Sequence, residues 1–133
     1  MSLPRVLLAD DHAMFAEGLR AILKPHFEIV GTVANGADAV AAVKQLQPDV
    51  LVMDISMPVL SGIAATRKLE EMRTPTKIIL LTMYSDPELA TEAIGIGASG
   101  YVLKSDGGTE IIAAIRKALQ GRTYVSRRLS RAV

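Results

Sequence analysis

The chain has 133 residues, half of them apolar and only 4% aromatic, which suits one domain with an aliphatic core of Val, Ile, Leu, Ala and Met. Fifteen basic residues against 14 acidic ones give a formal net charge of +1, which argues against a domain that mainly holds nucleic acid, while the lack of cysteine removes disulfides, thiolate catalysis and cysteine metal sites. No apolar run approaches the roughly 18 residues of a membrane span and no signal-peptide pattern opens the chain, so a cytoplasmic protein using carboxylates for any hard cation is expected.

Arg5–Ala9 is a short apolar strand that runs directly into Asp10 and Asp11. Phe15, Leu19 and Ile22 then recur at helical spacing, with Asp11 where a helix cap or first-turn acid belongs. Residues 28–34 form a second strand ended by Asn35-Gly36, and Val40, Val43 and Leu46 line one face of the next helix. Pro48-Asp49 closes that helix. Val50, Leu51, Val52 and Met53 run without polar relief into Asp54, as a strand buried on both faces does, and Pro58 with Leu60-Ser61-Gly62 turns the chain into a helix over 61–72 carrying Ile63, Leu69 and Met72.

After the loop Thr74-Pro75-Thr76, a fourth strand over 77–81 ends in Thr82. Asp86 as N-cap and Pro87 at the first helical position start a helix that stops near Gly95 or Gly97. The fifth strand, 100–104, ends in Lys104, and Ile111, Ile112, Ile115 and Leu119 stripe a helix over 109–120 that Gly121 terminates. Five strands alternating with five helices predict an α/β fold: a doubly wound, flavodoxin-like five-stranded parallel sheet in the order 2-1-3-4-5. The tail, 122–133, has four arginines, no acid and weak periodicity, and reads as a linker.

Together the strand ends bring Asp10, Asp11, Asp54, Thr82 and Lys104 to one rim, the rim where open parallel sheets bind ligands. Each has a plainer explanation alone: helix caps for Asp10 and Asp11, a loop cap for Asp54, a turn for Thr82, an exposed strand end for Lys104. Four independent accidents in one sheet do not account for the set. Three carboxylates form a hard-oxygen site suited to Mg2+, and a hydroxyl with an ammonium are the donors that phosphoryl oxygens need. The expected chemistry is phosphoryl transfer to an aspartate nucleophile.

Asp10-Asp11, Asp54-x-x-Met57-Pro58 with Gly62, Leu81-Thr82 and Gly100-Tyr101-Val102-Leu103-Lys104 resemble the receiver domain of bacterial two-component response regulators over residues 4–121. The resemblance implies that Asp54 accepts a phosphoryl group from a histidine kinase or small phosphodonor. It implies that Asp11 and Asp54 bind Mg2+ directly, Asp10 through water and Ser56 through its main-chain carbonyl, while Thr82 and Lys104 hold phosphoryl oxygens. Tyr101 resembles the switch aromatic that turns inward as Thr82 moves, remodelling the face of the fourth helix, fifth strand and fifth helix. The implied protein is a signalling switch with no turnover as an enzyme, able to form a phosphorylation-dependent homodimer. The run from Gly121 to Ser126 is similar to the linker of the NarL/LuxR branch, so residues 122–133 are expected to lead to a helix-turn-helix domain absent from the chain, the only route to DNA and to transcription regulation. Ser105 follows Lys104 where many receivers have a cis proline.

The alternative is a Mg2+-dependent phosphatase with an aspartate nucleophile, of the haloacid-dehalogenase type. It needs a second carboxylate two residues after the nucleophile, where Ser56 stands. A flavin module of the same fold would need a Ser/Thr/Gly-rich phosphate loop where Asp10 and Asp11 would repel a phosphate. Neither His12 nor His26 has a partner at metal-ligand spacing, and both are expected to be surface residues.

Overall fold

Helices and strands alternate throughout the computed structural model, which describes residues 2–130: β1 (Arg5–Ala9), α1 (Ala13–Leu23), β2 (Glu28–Val33), α2 (Gly36–Leu46), β3 (Val50–Asp54), α3 (Gly62–Glu71), β4 (Lys77–Thr82), α4 (Pro87–Gly95), β5 (Gly100–Leu103) and α5 (Gly108–Leu119). A two-residue strand, β6 (Tyr124–Val125), and one helical turn, Arg127–Ser130, follow. All pairings are parallel, in the order β2-β1-β3-β4-β5-β6, so the expected 2-1-3-4-5 sheet is present with one added edge strand. Among the described residues no helix is long and apolar enough to cross a membrane.

Successive strand residues point to opposite faces. Val6, Leu8, Val52, Ile79, Leu81 and Val102 pack on one face against Leu19 and Leu23 of α1 and Ile111 and Ile115 of α5. Leu7, Leu51, Met53, Leu80, Tyr101 and Leu103 pack on the other against Val43 of α2, Leu69 of α3 and Ala90 and Ala93 of α4. Both faces of β3 and β4 are thus dry, which is why their sequences are unbroken apolar runs.

Helix starts follow local chemistry. Asn35, Ser61 and Asp86 each cap a helix by accepting from a backbone N–H, of Asp38 (2.8 Å), Ala64 (3.2 Å) and Glu88 (3.0 Å) respectively. Gly62 opens α3 where a side chain has no room: a Cβ there would sit 2.7 Å from the carbonyl oxygen of Asp54 and 2.8 Å from Cα of Ile55. This close approach ties the start of α3 to the tip of β3.

Three local expectations shift. The buried stripe of α1 is Ala16, Leu19 and Leu23, with Ile22 47% exposed beside Gly108, because the helix lies against α5 as well as the sheet. Lys104 leaves the strand and begins a 3-10 turn, Lys104–Asp106, and no cis peptide occurs among the described residues. The tail is the largest departure. Instead of leaving the fold after Gly121, it returns to the sheet edge, where Ser126 N–H donates to Tyr101 C=O and Ser126 Oγ accepts from Leu103 N–H, both at 3.0 Å. The Tyr124 hydroxyl donates to Glu110 of α5, and Leu129 is fully buried in the cluster that holds Tyr101. A two-residue strand is too short to show period-2 alternation, so nothing local announces it. The last three residues of the expected linker, 131–133, lie outside the described residues.

Candidate functional site

Every residue of β3 is buried and the strand is paired on both sides, so Asp54 is delivered rigidly to the C-terminal rim. Its carboxyl group is nearly enclosed, and Ser56 N–H donates to Oδ1 at 3.1 Å. One strand over, Asp10 N–H continues the ladder to Val33 C=O at 2.9 Å and leaves the Asp10 side chain buried beside Asp54, while Asp11 is exposed. Neither acid caps α1: the cap position belongs to His12, whose N–H donates back to Asp10 Oδ1 at 2.8 Å.

Lys104 crosses to these acids from the end of β5. Its Nζ donates to Asp54 Oδ2 at 3.0 Å and lies 2.8 Å from Asp10 Oδ2. The second contact is an ion pair without hydrogen-bond alignment, so Asp10 Oδ2 is a buried acceptor with no directed donor. Burial by itself would lower the Lys104 pKa, but the two carboxylates outweigh it and hold the group above its ordinary value, so the ammonium stays charged.

His12 lies at the surface as expected but does have partners at ligand distance. Although its side chain is 56% exposed, Nδ1 lies 3.1 Å from Asp10 Oδ1, 3.4 Å from Asp11 Oδ1 and 3.5 Å from Asp54 Oδ2. Its place directly after Asp10-Asp11 at a helix start was the available signal, but motif spacing within the sequence does not show which side chains fold back together. His26 keeps to the surface, with Nδ1 3.1 Å from Arg116 Nη2. Phe15, two residues into α1, covers Lys104 with its ring centre 4.3 Å from Nζ, a contact helical periodicity also concealed.

Asp10, Asp11, His12 and Asp54 each present a ligand atom within 4.8 Å of the others. Three carboxylates fit a hard divalent cation such as Mg2+ better than a soft metal. Asp11, His12, Asp54, Ser56, Met83 and Tyr84 line a cleft of about 260 Å³ at this point. A larger cavity, about 600 Å³, lies at the opposite end of the strands between the ends of α2 and α3, and shares none of these residues.

Thr82 and Tyr101 flank the site without touching the acids. Thr82 Oγ1 accepts from Tyr84 N–H at 3.1 Å and donates to Tyr84 C=O at 3.4 Å, so the hydroxyl is engaged in its own loop. Tyr101 is fully buried, its phenol beside Thr82 yet without a directed hydrogen bond. Burial pushes the phenol above its ordinary pKa, with Thr82 opposing. The ring expected to turn inward is therefore already enclosed here.

Known proteins with this arrangement agree in sequence and in shape. The response regulator receiver domain family matches residues 6–116. The oxygen regulatory protein NreC of Staphylococcus carnosus is 41% identical over 129 residues, covering 95% of this chain and 59% of NreC, so the chain spans about three-fifths of that relative. A LuxR-family two-component response regulator from an Aurantimonas species superposes with a TM-score of 0.92 at 33% identity, over 98% of this chain and 94% of that one. The isolated receiver domain of RcsB from Salmonella enterica, solved with the phosphomimetic BeF3-, gives 0.89 at 25% identity over 99% of both chains. The motif residues, the parallel sheet order and the acid cluster at its rim thus converge on one assignment: this chain belongs to the response regulator receiver domain family, in its NarL/LuxR branch.

Proposed function

We propose that Asp54 accepts a phosphoryl group from a histidine kinase or a small phosphodonor, and that the modification reshapes the surface of α4, β5 and α5 around Tyr101. The observation that carries this reading is a buried aspartate at a strand tip, 3.0 Å from a charged lysine and beside two further acids. An oxygen of Asp54 forms the bond to phosphorus as the bond from phosphorus to the donor breaks, its electron pair leaving with the donor group. Asp11 and Asp54, with Asp10 through water and the Ser56 carbonyl, would hold Mg2+, which neutralises charge on the phosphoryl oxygens when bound. Lys104 is already charged and largely dehydrated, so its ammonium meets an incoming oxygen without first shedding water.

Thr82 supplies a second donor only by giving up its bonds to Tyr84. Because its hydroxyl stands beside the Tyr101 phenol, that move alters the packing of Tyr101 and of the α4 residues around it. Met14, Val59, Met83 and Tyr84 are exposed on elements that follow the strand tips, which suits docking of a protein phosphodonor. The altered α4–β5–α5 face would favour a homodimer, and residues 122–133 would begin the connection from the receiver, 4–121, to a DNA-binding domain. We read the chain as a switch phosphorylated once per signal, without turnover as an enzyme. Ser56, at the general-acid position of an aspartate phosphatase, supports that reading.

The test is incubation with acetyl phosphate or a histidine kinase, with and without Mg2+, and location of the adduct by mass spectrometry. A single adduct on Asp54 that requires Mg2+ is expected. A label that survives Asp54→Asn, or forms as well in chelator, refutes the assignment.

A further inference from the structure

Phe15 is one of only two phenylalanines in an aliphatic-core protein, and its ring lies 4.3 Å from the Lys104 ammonium. We infer that Phe15 is a positioning residue for Lys104, holding the ammonium at the rim while its ionic partners change; this rests on the phosphoacceptor reading of Asp54. The Lys104 side chain is 8% exposed, so little water competes with the ring for the charge and cation–π attraction acts near its full strength.

Among the described residues, Nζ also lies 2.8 Å from Asp10 Oδ2, 3.0 Å from Asp54 Oδ2 and 3.5 Å from His12 Nδ1. A divalent cation at the acids competes with the ammonium for the lone pairs of these atoms, and a phosphoryl group competes with them for the ammonium. The Phe15 ring carries none that a hard cation takes, so its hold on the ammonium is the same in an empty or a loaded site. The attraction is also weakly directional, which lets Nζ move from a carboxylate to a phosphoryl oxygen across the same ring face.

Local structure explains the placement. α1 starts at Ala13, one residue past the acids, so its first turn sends Phe15 into the gap between α1 and α5, half-buried against the core on that face. The far side of this gap is formed by Gly107, Gly108 and Ile111, and Gly107 has φ +84°, a conformation that brings the chain from Lys104 into α5 without a side chain crowding the lysine. A leucine at position 15 could fill comparable space but would offer no negative ring face.

The experiment compares wild type with Phe15→Leu, Phe15→Met and Phe15→Tyr, first by the NMR shifts of the Lys104 ε-methylene protons and then by titration with beryllofluoride and Mg2+. The expected result is a ring-current shift of those protons in wild type and Phe15→Tyr that is lost in both ring-free variants. Beryllofluoride affinity should fall about fivefold in Phe15→Leu and Phe15→Met and stay within about twofold in Phe15→Tyr. Equal affinity in wild type and the two ring-free variants overturns the positioning role alone. An equal deficit in all three variants also overturns it, because lost packing and not the ring face would then be the cause. Failure of the wild-type chain to take up beryllofluoride overturns the phosphoacceptor reading and this inference with it.

Discussion

The tip of β3 and the edge strand β6 both hold residues against the sheet, by different means. β3 is buried at each residue and bonded along both sides, with α3 pressed onto its end through Gly62. β6 is two half-buried residues bonded on one side, and its hold comes from single contacts: Tyr124 with Glu110, Ser126 with the backbone of Tyr101 and Leu103, and Leu129 in the α4 cluster. The first arrangement cannot open without unfolding the domain; the second can detach with the sheet intact. Asp54 therefore rides on the doubly bonded, buried strand, while the tail is held by a few separate contacts.

The largest test of that contrast is Gly62→Val. Its side chain would press on the backbone of Asp54 and Ile55, which cannot turn aside, so a global loss of about 2–3 kcal/mol in urea unfolding is expected, together with lost phosphoryl uptake. Leu129→Ala should behave differently. A buried leucine truncated to alanine normally costs about 2–5 kcal/mol, but here the loss is capped by the free energy of detaching the tail. We expect a global loss near 1 kcal/mol, with hydrogen-exchange protection gone at Tyr124 and Ser126 and retained along β3 and β4; uniform loss across the sheet would erase the distinction.

Ser126→Ala removes the acceptor of the buried Leu103 N–H, and should cost about 1 kcal/mol while loosening the same amides. Val59→Gly tests the loop beyond Asp54 in the opposite direction. Val59 is exposed at φ 68°, a backbone region that a β-branched residue occupies under strain, so glycine should raise stability by up to about 1 kcal/mol.

The smallest effect concerns pH. Burial, then Glu110, pushes the Tyr124 phenol well above its ordinary value of 10.0, and burial raises Tyr101 as well. A raised pKa means the folded state keeps the proton longer, so this stability is complete below pH 10 and is lost as pH climbs beyond it. Tyr124→Phe should flatten part of that alkaline decline in thermal melts, and an unchanged slope would show that Tyr124 does not contribute to it.

Much of this molecule was legible in its sequence. Unbroken apolar runs ending in Asp10, Asp54 and Thr82 identified strands, and Asp86 as a cap marked a helix start, because burial pattern and local hydrogen bonding are written in neighbouring residues. From strand order alone the acids and Lys104 could be placed on one rim. Tertiary structure decided who touches whom there: His12 folded back over the acids, Phe15 under the ammonium, the Thr82 hydroxyl taken up by Tyr84, and Tyr101 already enclosed. It also decided that the arginine-bearing tail returns as a strand, since Leu129 and Ser126 find partners more than 20 residues away that no local periodicity encodes. Periodicity records which side of an element is buried; the partner it meets depends on how separate elements cross, and that is settled only when the whole core packs.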